Sequence, residues 1–306
     1  WYPGEEVPRW ALGIFWRADG EPLWTRPDLL ARVDKDYGHD LALAKTFGKK
    51  LASRLGLPEH FLQATYEDAL YYLLQEQKIP HSLEKLAAKA KNDLTRRRLV
   101  RLLETGMDKP AGFVLPLEWD LFAQCWRSSR WSVKRERVTL LPGDSPMGLR
   151  LPLDEIIGLE DVPPAPERDP FEPHQPLLKR EAYTDGSAHM PVPGSGAATR
   201  PQPAASADSN AGDASSQPIR TSLCVEPRGG KLHIFMPPLY ALEQYVAILA
   251  VLEDIAAELK APLIIEGYEP PRDPRVTKLL VTPDPGVIEV NIHPAGRWRE
   301  LVANTE

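Results

Sequence analysis

One stretch near the end of the chain limits its possible folds more than any other. Leu239–Lys260, "LYALEQYVAILAVLEDIAAELK", carries Leu242, Val246, Leu249, Leu252, Ile255 and Leu259 at helical spacing, with Glu243, Asp254 and Glu258 away from that stripe. The period predicts a long amphipathic helix that needs an apolar surface to lie on. The runs around it supply one. "TSLCVEP" and "KLHIFMPP" precede the helix and read as strands joined in a hairpin at "RGG"; "PLIIEGY", "VTKLLVTP" and "GVIEVNI" follow it, before "RWRELVANTE" opens another helix. Several strands around one long helix indicate an α+β arrangement with a mainly antiparallel sheet and the helix packed on one face.

Upstream, residues 1–160 form a second compositional unit. "PRWALGIFWRADGEPLW" predicts a hairpin or paired extended segments around Asp19-Gly20. Asp40 can cap a helix bearing Leu41, Ala44, Phe47, Leu51 and Leu55, which Gly56 ends. Pro58 is read as opening a second helix through "ATYEDALYYLLQEQ", and "SLEKLAAKAKNDLTRRRLVRLLETG" as supplying one or two more. From Phe113 onward the pattern changes to short extended runs, "GFVLPL", "RWSVK" and "RVTLLPG", followed by the turn-rich "PGDSPMGLRLP". Asp144 and Ser145 there read as loop residues that satisfy their own backbone.

Between the two units, residues 161–218 are rich in Pro, Ala, Ser and Gly. So little apolar bulk cannot offset ordering entropy, and the stretch is expected to be a disordered linker or insert. Its "PGSGAAT" lacks the Lys-Ser/Thr pair and preceding strand of a phosphate loop.

Composition excludes several classes. A net charge of -6 without a dense basic run gives no footprint for nucleic acid, and "LTRRRLVR" reads as a solvated helix face. Cys125 and Cys224 lie far apart and form no C-x-x-C pair, which fits a reducing, cytoplasmic setting. No apolar run is long enough to span a bilayer. Serine-nucleophile elbows, H-E-x-x-H and paired Cys/His motifs are missing too. The chain opens "WYPGEEVPRW" without Met or a signal pattern and stops inside an apparent helix, so it is expected to be a piece of a longer polypeptide.

Three carboxylates occupy similar places on predicted strands: Glu226 in "CVEP", Glu266 in "IIEGY" and Glu289 in "VIEVN". Acids are depleted in strands. If the strands are neighbours, the three could converge and bind a hard cation such as Mg²⁺; on a solvent-facing side they need only water. In "PDPGVIEVNIHP", Ile288, Val290 and Ile292 alternate with Glu289, Asn291 and His293, so the apolar set asks for a core. His233 and His293 are candidate ligands or acid/base groups, and Arg228, Arg272 and Arg275 candidate phosphate or carboxylate clamps.

At "EPRGGKLHIFMPP", "IIEGYEPPRDPR" and "VTPDPGVIEVNIHPA" the sequence resembles the amidoligase family of bacterial proteins, large chains in which a transglutaminase-like domain often comes first. "WYPGEEVPRWALGIFWRADGEPLW", "YEDALYYLLQEQ" and "PGDSPMGLRLP" resemble the middle region of the same family, whereas the Pro/Ala/Ser insert carries no such likeness. The resemblance implies a glutamine-synthetase-like fold, with residues 219–306 as its first part, and ATP-dependent joining of a carboxylate to an amine through an acyl phosphate. It implies Mg²⁺ and ATP as cofactors. Glu226, Glu266, Asp284 and Glu289 would be metal ligands, Glu226, Glu289 and Asn291 would serve catalysis, and Arg228 and Arg272 would bind the nucleotide. It also implies peptide or small-molecule substrates, a transglutaminase-like domain in the same full-length chain, and a glycine-rich, histidine-containing segment of the site beyond Glu306. A non-catalytic interaction module attached to such a protease-like domain is the other reading left open.

Overall fold

The structure is a computed structural model, and it describes residues 10–77, 108–121, 123–159, 174–184, 217–284, 287–292 and 294–305. In chain order its strands and helices are β1 (Leu12–Arg17), α1 (Leu41–Arg54), β2 (Gln63–Tyr66), α2 (Ala69–Gln77), β3 (Gly112–Pro116), β4 (Glu118–Asp120), β5 (Cys125–Arg127), β6 (Val138–Thr139), α3 (Arg180–Thr184), β7 (Ser222–Arg228), β8 (Lys231–Met236), α4 (Leu242–Leu259), β9 (Leu263–Gly267), β10 (Val276–Asp284), β11 (Val287–Asn291) and α5 (Trp298–Thr305). The arrangement is α+β, as the sequence predicts. The helices expected over 82–106, and His293, lie outside the described residues.

A six-stranded sheet in the order β6-β2-β3-β7-β8-β9 forms the centre. Only its β2–β6 and β8–β9 pairings are parallel. It draws strands from both ordered stretches, because β3 pairs with β7 through Phe113↔Val225, Val114↔Cys224 and Leu115↔Leu223. Alternation then sorts the side chains. Phe113, Leu115, Leu223, Val225, Leu232, Ile234 and Leu263 share one face, where they pack with Phe47 and Leu51 of α1 and Ile248, Leu252 and Ile255 of α4. Val114, Cys224 and Phe235 point the other way, into a smaller cluster with Trp131, Met147, Leu151 and Ile156.

Local signals explain several elements. Asp40 caps α1 by accepting from the Leu43 N–H at 2.9 Å. Gly229 and Gly230 both hold positive φ in the β7–β8 turn, the conformation that a two-residue hairpin of this type requires.

Four expectations need correction. Gln63–Tyr66 does not continue a helix from Pro58: it is inserted between β3 and β6, where Thr65 is fully buried, and this pairing overrides the local helical signal. "RWSVK" makes only a single bridge, Val133↔Ile156. The segment around Asp19-Gly20 forms no local hairpin, since β1 pairs instead with the distant β10. Helix α4 is buried on more than its stripe; Glu243, Gln244 and Glu253 are buried as well.

The reason for that extra burial is a further difference from expectation. Residues 174–184, inside the stretch expected to be a linker, lie ordered along α4, with Leu177 and Tyr183 packed against Leu242, Val246, Ala247 and Ala250. Distant arginines satisfy the backbone of this strap. Arg17 donates to the carbonyls of Leu177 and Leu178, at 3.0 and 2.7 Å, and Arg275 donates to that of Gln175 at 2.7 Å. Arg180 pairs with buried Glu253 at 2.7 Å, whose second oxygen accepts from the Thr25 N–H and hydroxyl, both at 2.7 Å, and from the Arg26 N–H. Composition could not show this, because the charged partners come from elsewhere in the chain.

Among the described residues no helix is long and apolar enough to cross a membrane. Replacing Glu253 by Ala leaves the Thr25 N–H, the Thr25 hydroxyl and the Arg26 N–H without their acceptor, while Arg180 keeps Asp254 and the Ala250 carbonyl. Expected is a loss of about 1–3 kcal/mol, the usual cost of leaving buried donors unsatisfied, measured as a lower urea midpoint at unchanged m-value.

Candidate functional site

The second face of the central sheet changes character along the strands. Near β3 it is apolar; toward the β7–β8 turn it becomes ionic. The two-residue turn sets Glu226 opposite His233 and Arg228 opposite Lys231, and the parallel pairing of β8 with β9 sets His233 beside Ile264. Glu266, two residues after Ile264, therefore shares the face of Glu226, Arg228 and His233.

These four side chains form one cluster. Arg228 Nη1 donates to Glu226 Oε2 at 2.8 Å, and its Nη2 donates to Glu266 Oε2 at 2.6 Å. His233 Nδ1 lies 2.7 Å from Arg228 Nη2 and 3.1 Å from Glu266 Oε2. A neutral ring with its proton on Nε2 accepts from Arg228, whereas a ring protonated on Nδ1 donates to Glu266. The guanidinium therefore bridges two carboxylates that would otherwise face each other as like charges, and it offsets one of the two.

A loop covers one side of the cluster. The one-turn 3-10 helix Met147–Arg150 lies on this face, and its Met147 N–H donates to Glu226 Oε2 at 3.3 Å. Gly148 lets the loop approach so closely: a Cβ there would stand 2.1 Å from the Phe235 ring. Buried Arg150 anchors the loop through an ion pair with Glu67 and a 2.7 Å bond to the Leu141 carbonyl.

The two acids respond oppositely to this setting. Burial pushes Glu226 up, and Arg228 and the Met147 N–H pull it back without cancelling that effect. Burial also acts to raise Glu266, but the hydrogen bonds from His233 and Arg228 outweigh it and hold the carboxyl below its ordinary range. Glu266 Oε1 is buried with no hydrogen-bond partner, so one acceptor in the cluster is still unused. Burial raises the thiols of both Cys224 and Cys125, which argues against thiolate chemistry at either.

The expected convergence of three carboxylates is met only in part. Glu226 and Glu266 come together; Glu289 is on β11, in the separate sheet β1-β10-β11. Its Oε1 accepts from Asn291 Nδ2 at 3.0 Å, and the whole strand is exposed, including Ile288 and Val290, which the alternation had assigned to a core. The physical reason is that β11 pairs with β10, which pairs with β1 and not with β9. Asp284 ends β10 opposite Val287. Arg272 is exposed in the loop before β10, while Arg275 is committed to Glu243 and Asp273, at 2.6 and 2.7 Å. Among the described residues no group of three or more His, Cys, Asp or Glu could hold a metal ion.

Sequence reasoning missed the Met147 N–H and the bridging role of Arg228. The second was accessible, because a two-residue turn at Gly229-Gly230 fixes which residues face each other. The first was not, since it depends on a loop returning to the sheet from about eighty residues earlier.

Fold and cluster together define an α+β protein with a half-buried ionic cluster on a mainly antiparallel sheet. A family model described as "Putative amidoligase enzyme (DUF2126)" matches residues 1–306, and the chain belongs to that family. The match runs through 161–218 as well, the stretch without recognised motifs. No curated protein and no solved structure matches the chain.

The opposed shifts carry a test. Glu266, held low, contributes stability that is present above the ordinary carboxylate pKa and is lost as the pH falls through its depressed value. Glu226, held high, does the reverse: its contribution falls as the pH rises from the ordinary range through its raised value. Carboxyl-carbon NMR titration should show Glu226 titrating above, and Glu266 below, the exposed glutamates. Glu266→Gln should be less stable than the parent at neutral pH, with the difference closing on acidification.

Proposed function

We propose that this protein takes part in ATP- and Mg²⁺-dependent amide-bond formation, joining a peptide or small-molecule carboxylate to an amine through an acyl phosphate. The family supports ligase chemistry in general. The observation that carries the finer reading is the half-buried pair Glu226 and Glu266 on one sheet face, with the buried Glu266 Oε1 lacking a hydrogen-bond partner.

The donor set fits Mg²⁺ in the way that ion is commonly held, by one or two carboxylates with the remaining positions left to water and substrate phosphates. It does not make an all-protein cage. Glu226 and Glu266 would be the residues that hold the ion, whose chemistry there is to neutralise phosphate charge. Arg228 already lies between the two carboxylates and presents a guanidinium suited to planar oxyanions. His233 orients Glu266, and the Met147–Arg150 loop shields Glu226 from water. Glu226 is shifted toward its protonated form relative to an ordinary glutamate, so ion binding there would release a proton, while Glu266 is shifted toward its ionised form.

The test uses the full-length protein with Mg²⁺, ATP and a panel of carboxylates and amines, reading amine-dependent phosphate release. Glu266→Gln and Glu226→Gln should each lower kcat by at least about 100-fold, the scale lost when an electrostatic group of a preorganised site is removed. Retained turnover in both variants would overturn the site. Glu289→Gln is the companion measurement: loss of phosphate release there would bring β11 into the same site, and unchanged release would confine it to the six-stranded sheet.

A further inference from the structure

The three-stranded sheet presents its faces the wrong way round for a surface element. By register, Leu12, Val281 and Val290 form one row across it, Ile14 and Leu279 a second, Trp16 and Thr277 a third, and Pro283 and Ile288 a fourth. All nine therefore share a face, and none is charged. Arg17, Lys278, Glu289 and Asn291 belong to the opposite face.

The uncharged face is open. Leu12 is 59% exposed, Ile14 53%, Trp16 36%, Ile288 74% and Val290 53%, and Leu279, Val281 and Pro283 are partly exposed between them. Taking roughly 150–250 Å² for a fully exposed large side chain, the five most exposed leave about 500 Å² bare, and the three between them add more. The largest apolar patch on an ordinary monomer is about 300–600 Å². A standard protein–protein interface covers roughly 800 Å² on each partner. This face thus lies toward the upper end for a monomer and supplies well over half of what one partner of a standard interface covers.

We propose that the face formed by Leu12, Ile14, Trp16, Leu279, Val281, Pro283, Ile288 and Val290 is a homodimer interface, in which two copies of the protein stack their three-stranded sheets face to face. Charge selects this occupant. In a twofold contact a patch meets itself, so any charge near its centre meets a like charge unless a compensating one is symmetrically placed. A face with no charge escapes that constraint, whereas recognition of an unlike partner draws on complementary charge for its specificity. The stacking of two twisted antiparallel sheets through apolar faces is also a standard packing mode. This inference is independent of the ligase chemistry, since it involves neither Glu226 nor Glu266.

Sedimentation equilibrium of the full-length protein tests it. The parent should be a dimer, and Ile288→Lys with Val290→Lys should raise the dimer dissociation constant at least tenfold at an unchanged circular dichroism spectrum. To guard against misfolding of the double variant, Ile288→Cys in a Cys125→Ser background should cross-link between subunits with a short bifunctional maleimide. A monomer at all concentrations, as expected if another segment of the same polypeptide or an unlike partner covers this face, would overturn the proposal. So would a dimer that survives both lysines, or an absence of cross-linking at position 288.

Discussion

The antiparallel pairing of β3 with β7 sets the position of nearly everything else. It joins residues near 114 to residues near 224, and both strands are buried on their two faces at Leu115, Leu223, Cys224 and Val225. Closing so long a loop is entropically unfavourable, although the cost grows only slowly with length. The offset comes from burying apolar side chains on both sides of the pair, against α1 and α4 on one face and the Trp131–Ile156 region on the other. Once this pair is made, β2 and β6 extend the sheet on one side, and β8 and β9 on the other.

The same pair explains where the ionic cluster lies. Cys224 is the last apolar residue of β7 on the second face, and Glu226 is the first polar one beyond the closely packed loop. Burying two carboxylates is unfavourable unless each has a partner. Arg228 supplies that partner to both acids at once, and its partial exposure reduces its own desolvation. The result is a group of charges at the rim of an apolar sheet, in which burial shifts Glu226 upward and hydrogen bonds shift Glu266 downward.

Helix α4 holds the outer layer by a different device. It has apolar residues on nearly all sides, and its buried acids Glu243 and Glu253 are each held by arginine: Arg275 in one case and Arg180 in the other. Arg180 belongs to the 174–184 strap, and Arg275 and Arg17 bind the strap's carbonyls from elsewhere in the chain. Strap, helix and the start of the three-stranded sheet are thereby tied by charge-assisted bonds, whose geometry specifies one arrangement where apolar contact alone would tolerate several.

Much of this was legible in the residues themselves. The helical period of Leu242–Leu259, the Asp40 cap, the glycine turn of β7–β8 and the two-residue alternation of β7 to β11 all act over a few neighbours, so the sequence determines them locally. The turn at Gly229-Gly230 even determines that Glu226 faces His233. Only the tertiary structure decided what depends on distant partners. Gln63–Tyr66 is a strand because β3 and β6 flank it, and β1 belongs to β10 although a nearer hairpin looked available. Residues 174–184 are ordered because arginines from elsewhere reach them. Glu266 joins Glu226 through the pairing of β8 with β9, while Glu289, equally acidic and equally placed on an alternating strand, is carried to another sheet by β10. Strand periodicity says that two faces exist; only the register between strands far apart in the chain says which residues share one.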